Sequence, residues 1–177
     1  MRNFLFLIAL LANLSATAAR PIAEQILAEN NFQIVSDHYQ ERPMWVKTYH
    51  CDSATAIRTL MMNPQIIIER EFEGHLICRM CDVRLLRISD TIRPLPIFMT
   101  WAATLYFTVE VFDDEYRVEL CEVVWNGVRE LNDDVDTESY TLYGCFFTRR
   151  GNLDSAFIRN RAEALNDRLT RLFAPRL

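Results

Sequence analysis

The side chains best placed to do chemistry are Cys78 and Cys81, two thiols three positions apart in Cys78-Arg79-Met80-Cys81. At a helix N-terminus such a pair forms a dithiol redox site, because the local field lowers the thiol pKa and supplies thiolate. The residues around this pair, His75 to Leu86, instead read as a strand, and in a strand positions i and i+3 point to opposite faces. Structural or free cysteine is the favoured reading, and a thiol-redox site or other enzyme centred on Cys78 and Cys81 is the alternative. His75 extends the string to His-x-x-Cys-x-x-Cys, yet no second ligand pair stands at zinc-site spacing, and Asp82 occupies the position where a haem-attachment motif has histidine. With Cys51, Cys121 and Cys145 the chain has five cysteines, an odd number that leaves at least one thiol unpaired in an oxidising compartment.

Other chemistry finds less support. Asp133, Asp134, Asp136 and Glu138 crowd carboxylates into one segment, but no glycine takes the sharp-turn position of a calcium loop and no glutamate follows at its twelfth position. A solvated acidic loop is expected there. His38, His50 and His75 are the only histidines, and the chain has neither a Gly-x-Ser-x-Gly elbow nor a glycine-rich phosphate loop. No catalytic residue, metal or cofactor is assigned.

The elements that hold these residues can be read from periodicity. Arg42-Pro43 opens a strand from Met44 to Tyr49, and Asp52 or Ser53 then caps a short helix with Ala56, Ile57, Leu60 and Met61 on one face, ended by Asn63-Pro64. Gln65 to Phe72 and His75 to Leu86 form a hairpin about Glu73-Gly74. A second hairpin runs from Ala102 to Trp125 about Asp113-Asp114, pairing Val111 with Tyr116, Val109 with Val118, Phe107 with Leu120 and Ala103 with Val124 on a covered face. Its other face pairs Glu110 with Arg117, and Glu122 intrudes on the covered face unless a bulge or a frayed edge relieves it. Asn126-Gly127 is expected to close that hairpin. The acidic loop Leu131 to Ser139 follows, then a strand from Tyr140 to Thr148. After Gly151-Asn152 comes a long helix with a core stripe of Ile158, Ala162, Leu165, Leu169 and Leu172. Arg159, Arg161, Arg168 and Arg171 lie off it, and Pro175 marks its end.

In this register Tyr106, Phe112, Arg117 and Trp125 share the second sheet face with Thr104, Thr108 and Val123. An aromatic face with one arginine is the candidate binding surface, unless the extra strand, the proline-bearing connection from Ile88 to Thr100 or the N-terminal segment covers it.

The element order, strand, helix, four strands, helix, and the string Phe107-Thr-Val-Glu-Val-Phe-Asp-Asp-Glu-Tyr-Arg-Val-Glu-Leu120 resemble a family of exported bacterial domains of unknown function with a fold like that of the TATA-binding protein. The resemblance covers roughly Met44 to Trp125 and the last helix. It implies an α+β domain, an antiparallel sheet with helices on one face in the order β-α-β-β-β-β-α. It carries over no catalytic residues, and the Ile88 to Thr100 connection departs from its pattern.

Arg2, the apolar run Phe4 to Leu14 and Ala16-Thr17-Ala18-Ala19 read as a signal peptide cleaved after Ala18 or Ala19. The run falls short of the roughly 20 residues that span a bilayer. Residues 1–19 are therefore expected to be the leader and 20–177 one TATA-binding-protein-like domain. Its location is periplasmic or secreted, with no stable membrane anchor after cleavage. The formal charge of −5 becomes one unit more negative when Arg2 is lost, which repels a phosphate backbone and excludes nucleic acid as the expected partner. Four glycines and six prolines leave no material for a long flexible linker. The expected activity is non-enzymatic, binding or structural, with an envelope protein or small ligand as partner.

Overall fold

An open antiparallel sheet with helices on one face organises the chain in a computed structural model that describes residues 20–36, 40–86, 95–131 and 134–175. The leader, His38, Asp133 and most of the Ile88 to Thr100 connection lie outside the described residues. Helix α1 covers 20–29. Strands β1 (Phe32–Ser36) and β2 (Glu41–His50), helix α2 (Ser53–Met61), and strands β3 (Ile66–Phe72), β4 (His75–Val83), β5 (Ala103–Val111), β6 (Glu115–Leu131) and β7 (Asp134–Thr141) follow. Helices α3 (Leu142–Phe146) and α4 (Ser155–Phe173) complete the order. The strands run β1-β2-β6-β5-β4-β3, and β7 pairs with the far half of β6. The expected β-α-β-β-β-β-α series is thus present as β2, α2, β3 to β6 and α4, with α1, β1, β7 and α3 added to it.

Local chemistry explains most boundaries. Asp52 caps α2 by accepting from the Thr55 amide at 2.9 Å. The two-residue β3–β4 turn has positive φ at both Glu73 (47°) and Gly74 (82°), the twist that suits a tight hairpin. Asp154 caps α4 by accepting from Ala156 and Phe157.

The core lies between the sheet and α4. Ile158, Ala162, Leu165, Leu169 and Phe173 are buried, with Trp45, Phe107, Val109, Tyr116, Val118 and Leu120 opposite. The last four carbonyls of a helix lack intrahelical partners. Two are met by sheet tyrosines: Tyr49 donates to Thr170 O at 2.9 Å and Tyr116 to Phe173 O. Further along α4, Asn166 Oδ1 accepts from both Trp45 Nε1 and Asn31 Nδ2. Arg161, expected off the helix's core stripe, is buried, whereas Leu172 is only half-buried. The stripe is rotated toward Arg161 and Phe173.

The hairpin about Asp113-Asp114 keeps the expected partners from Val111↔Tyr116 to Phe107↔Leu120, and then the register shifts between Tyr106 and Phe107. Beyond the bulge, Leu105 faces Val123 and Ala103 faces Trp125 instead of Val124. Glu122 leaves the core face and accepts from the Leu142 amide at 3.1 Å and from Val123 N at 3.0 Å. It thereby helps start α3, whose N-cap Thr141 accepts from Gly144.

Burial pushes the Glu122 carboxyl above the usual carboxylate range, and the two amides and Arg42 oppose this only in part. A carboxyl raised on folding favours the native state most below its unfolded pKa, about 4.3, and that contribution is lost as pH rises through the folded value. Glu122→Gln keeps an acceptor without the charge. Urea titrations should therefore show it as stable as the parent or more so at pH 7, with a smaller loss between pH 4 and 7. A variant clearly weaker at pH 7 would show instead that the charged cap outweighs desolvation.

Three further expectations are corrected. Asn126-Gly127 makes no turn, because β6 runs through it to Leu131. The Gly127 position is needed for contact, since a Cβ there would lie 2.2 Å from Trp101 Cε3. The acidic loop is largely strand, with β7 returning along β6 from Leu131↔Asp134 to Val124↔Thr141. Tyr140 to Thr148 does not form a strand; the chain turns into α3 at Leu142, where the paired caps of Thr141 and Glu122 prevail over aromatic, β-favouring composition.

Candidate functional site

The four residues expected to share one binding face are separated. The bulge puts Trp125 on the core side, 0% exposed, with Phe98 of the connecting segment edge-on to it at 5.8 Å. Tyr106 remains on the outer face, 41% exposed, across from Arg79 and Glu122. Phe112 sits beside the β5–β6 turn, and Arg117 lies on the outer face one strand from Glu110. Segment 95–101 does cover an aromatic surface, but it covers the core side of β6 and β7, where Phe98 stacks on Tyr140 at 4.3 Å.

The outer face is mostly tied up in ion pairs. Arg117 Nη2 reaches Glu119 Oε1 at 2.6 Å, and Nη1 lies 4.0 Å from Glu110 Oε2. His75 Nδ1 is 3.1 Å from the other Glu110 oxygen, and Arg79 Nε is 3.0 Å from Glu69. The predicted Glu110–Arg117 neighbour relation is present, but it engages Arg117 with carboxylates of its own chain. Tyr106, Ile67 and Ile77 are interspersed among these charges, the pattern of a solvated sheet face.

Cys78 and Cys81 lie within strand β4 and not at a helix N-terminus. Cys78 is buried in the core, Cys81 is half-buried, and all five thiols are free. Burial, with a contribution from Glu69, pushes the Cys78 thiol up to about 11, and Cys145 is pushed up to about 12. Burial thus acts against thiolate formation at Cys78, opposite in direction to the lowered pKa of a reactive cysteine. Two residues past Met80 the strand bulges, with Asp82 at φ 55°. Among the described residues no three His, Cys, Asp or Glu side chains converge as a metal site.

A feature missed in the sequence reading is a cleft of about 290 Å³ beside α2, lined by Ile57, Leu60, Met61, Ile68, Leu76, Val111, Glu71 and Gly74. It lies between α2, which connects β2 to β3, and the β3 edge of the sheet. These strands are four positions apart in the sheet, roughly 19 Å, while a nine-residue helix is roughly 13.5 Å long. Helix α2 buries Ala56, Thr59 and Leu60 but leaves Ile57 46% and Met61 73% exposed. Ile57 and Met61, expected on one helix face with Ala56 and Leu60, form one wall. Exposed Ile68 on the edge strand forms the other.

No protein-family model, curated protein or solved structure matches the chain. No helix among the described residues is long and apolar enough to cross a membrane.

Proposed function

We propose that this protein is an exported, non-enzymatic binding module of the bacterial cell envelope, periplasmic or secreted, which binds through the apolar cleft beside α2. The observation that carries this reading is the uncovered cleft itself: three large apolar side chains, Ile57, Met61 and Ile68, stay exposed around one concavity. An exposed apolar patch at a concave site is where ligands and partners bind, and methionine adapts to varied shapes. The resemblance to exported domains with a TATA-binding-protein-like fold agrees with the series β2, α2, β3 to β6, α4. The basic start and apolar run of residues 1–19 support export.

An apolar dye that brightens on binding tests the cleft. The folded protein should enhance its fluorescence at neutral pH, and Met61→Glu or Ile68→Glu should remove most of the signal with little change in melting temperature, because exposed positions contribute little to folding. A signal unchanged by both variants, or a large drop in melting temperature, would defeat the reading. Export has its own measurement: intact mass should place the mature N-terminus at Ala19 or Arg20, and an exported chain retaining Met1 would contradict it.

A further inference from the structure

The charge around the cleft identifies the kind of ligand, provided the binding-module reading holds. Glu71 is the sole charged residue in the lining, and no ion-pair partner for it is found among the described residues, unlike Glu69, which Arg79 holds at 3.0 Å. Two turns at the same end add negative charge. Val111 N donates to Gly74 O and Ser53 N to Asp113 O, which draws Glu73 and Asp113-Asp114 toward the start of α2. An acyl chain with a carboxylate head would set a second negative charge beside Glu71. An apolar group followed by a cation fits both features.

Size and edge geometry narrow the choice. About 290 Å³ lies at the bottom of the range of small-molecule pockets, which starts near 300 Å³, and suits a few aliphatic side chains. An extended peptide could instead add a strand beside β3, but that edge has a register shift between Ile68 and Arg70, and an edge bulge interrupts such pairing. We propose that the cleft receives an amphipathic helix of a partner protein, which inserts aliphatic side chains one turn apart between Met61 and Ile68 and sets a Lys or Arg against Glu71.

The full mature chain can be titrated with fluorescent synthetic helices of about 14 residues, near the shortest length that stays helical alone. One probe is built of Leu and Lys, the other of Leu and Glu. The Leu/Lys helix should bind saturably, displace the apolar dye, and bind about fivefold or more tightly than the Leu/Glu helix, a factor worth roughly 1 kcal/mol. Met61→Glu should abolish insertion. Glu71→Lys should reverse the order of the two probes, whereas Glu29→Lys, an equal charge change on exposed α1, should not. If Glu71→Lys and Glu29→Lys behave alike, the assignment of Glu71 is overturned. If a fluorescent fatty acid fills the cleft while neither helix binds, the helix proposal is overturned and the binding-module reading survives. If dye, fatty acid and helices all fail to bind, both are overturned.

Discussion

Trp125→Ala should lower stability by about 3 to 5 kcal/mol, the usual cost of truncating a large core aromatic, whereas Tyr106→Ala should change it by only about 0.5 kcal/mol. Both residues sit in the same hairpin, and unbulged pairing would place them on one face. The register shift between Tyr106 and Phe107 separates them: Trp125 faces Ala103 in the core, 0% exposed, and Tyr106 faces Glu122 outside. The indole N–H of Trp125 finds no acceptor among the described residues, so Trp125→Phe should cost much less than Trp125→Ala. Urea unfolding of the three variants measures this directly. Small, equal effects from Trp125→Ala and Tyr106→Ala would restore the unbulged register and return Trp125 to the open face.

Phe173→Ala should be equally costly, about 3 to 5 kcal/mol, although it is the last residue of a helix, where fraying is ordinary. Its ring stacks on Trp45 at 5.9 Å and meets Phe107 edge-on at 4.9 Å, and it is 2% exposed. Its carbonyl accepts from Tyr116, so the terminal turn is bound to the sheet by both side chain and backbone. The neighbouring Leu172→Ala, at a half-buried site, should cost about 1 kcal/mol. Phe107→Ala and Phe173→Ala combined should be less costly than their sum, because they share a contact. Thermal unfolding in which Phe173→Ala and Leu172→Ala behave alike would mean that α4 is not anchored at this end.

Residues close in sequence made much of this fold legible in advance. Asp52 as cap, Glu73-Gly74 and Asp113-Asp114 as turns, and the pairing from Val111↔Tyr116 to Phe107↔Leu120 all depend on interactions within a few residues or across one tight turn. Glu122 also signalled the bulge, since a carboxylate cannot stay on a buried face without cost. The residue at which the register slips leaves no comparable mark in the sequence, so periodicity alone pairs Ala103 with Val124 and puts Trp125 on the open face, whereas the bulge pairs Ala103 with Trp125 in the core. Asn126-Gly127 has turn composition, but the Trp101 ring requires the glycine for close approach. Helix α1 and strand β1 carried no strong periodic signal of their own, and they are held by distant groups: Val46 N on Asn31 O, Asn31 on Asn166, and Phe32 on Phe146.

For the candidate site, the ingredients are legible in the residues alone. They include an apolar stripe on α2 with Ile57 and Met61, an isoleucine-rich β3, and a Cys78–Cys81 spacing that a strand splits between two faces. That Ile57 and Met61 stay uncovered is a property of the assembled fold, in which β2 and β3 lie farther apart across the sheet than the helix between them is long. Helix periodicity measures which residues share a face. It contains no information about the width of the surface that face must cover.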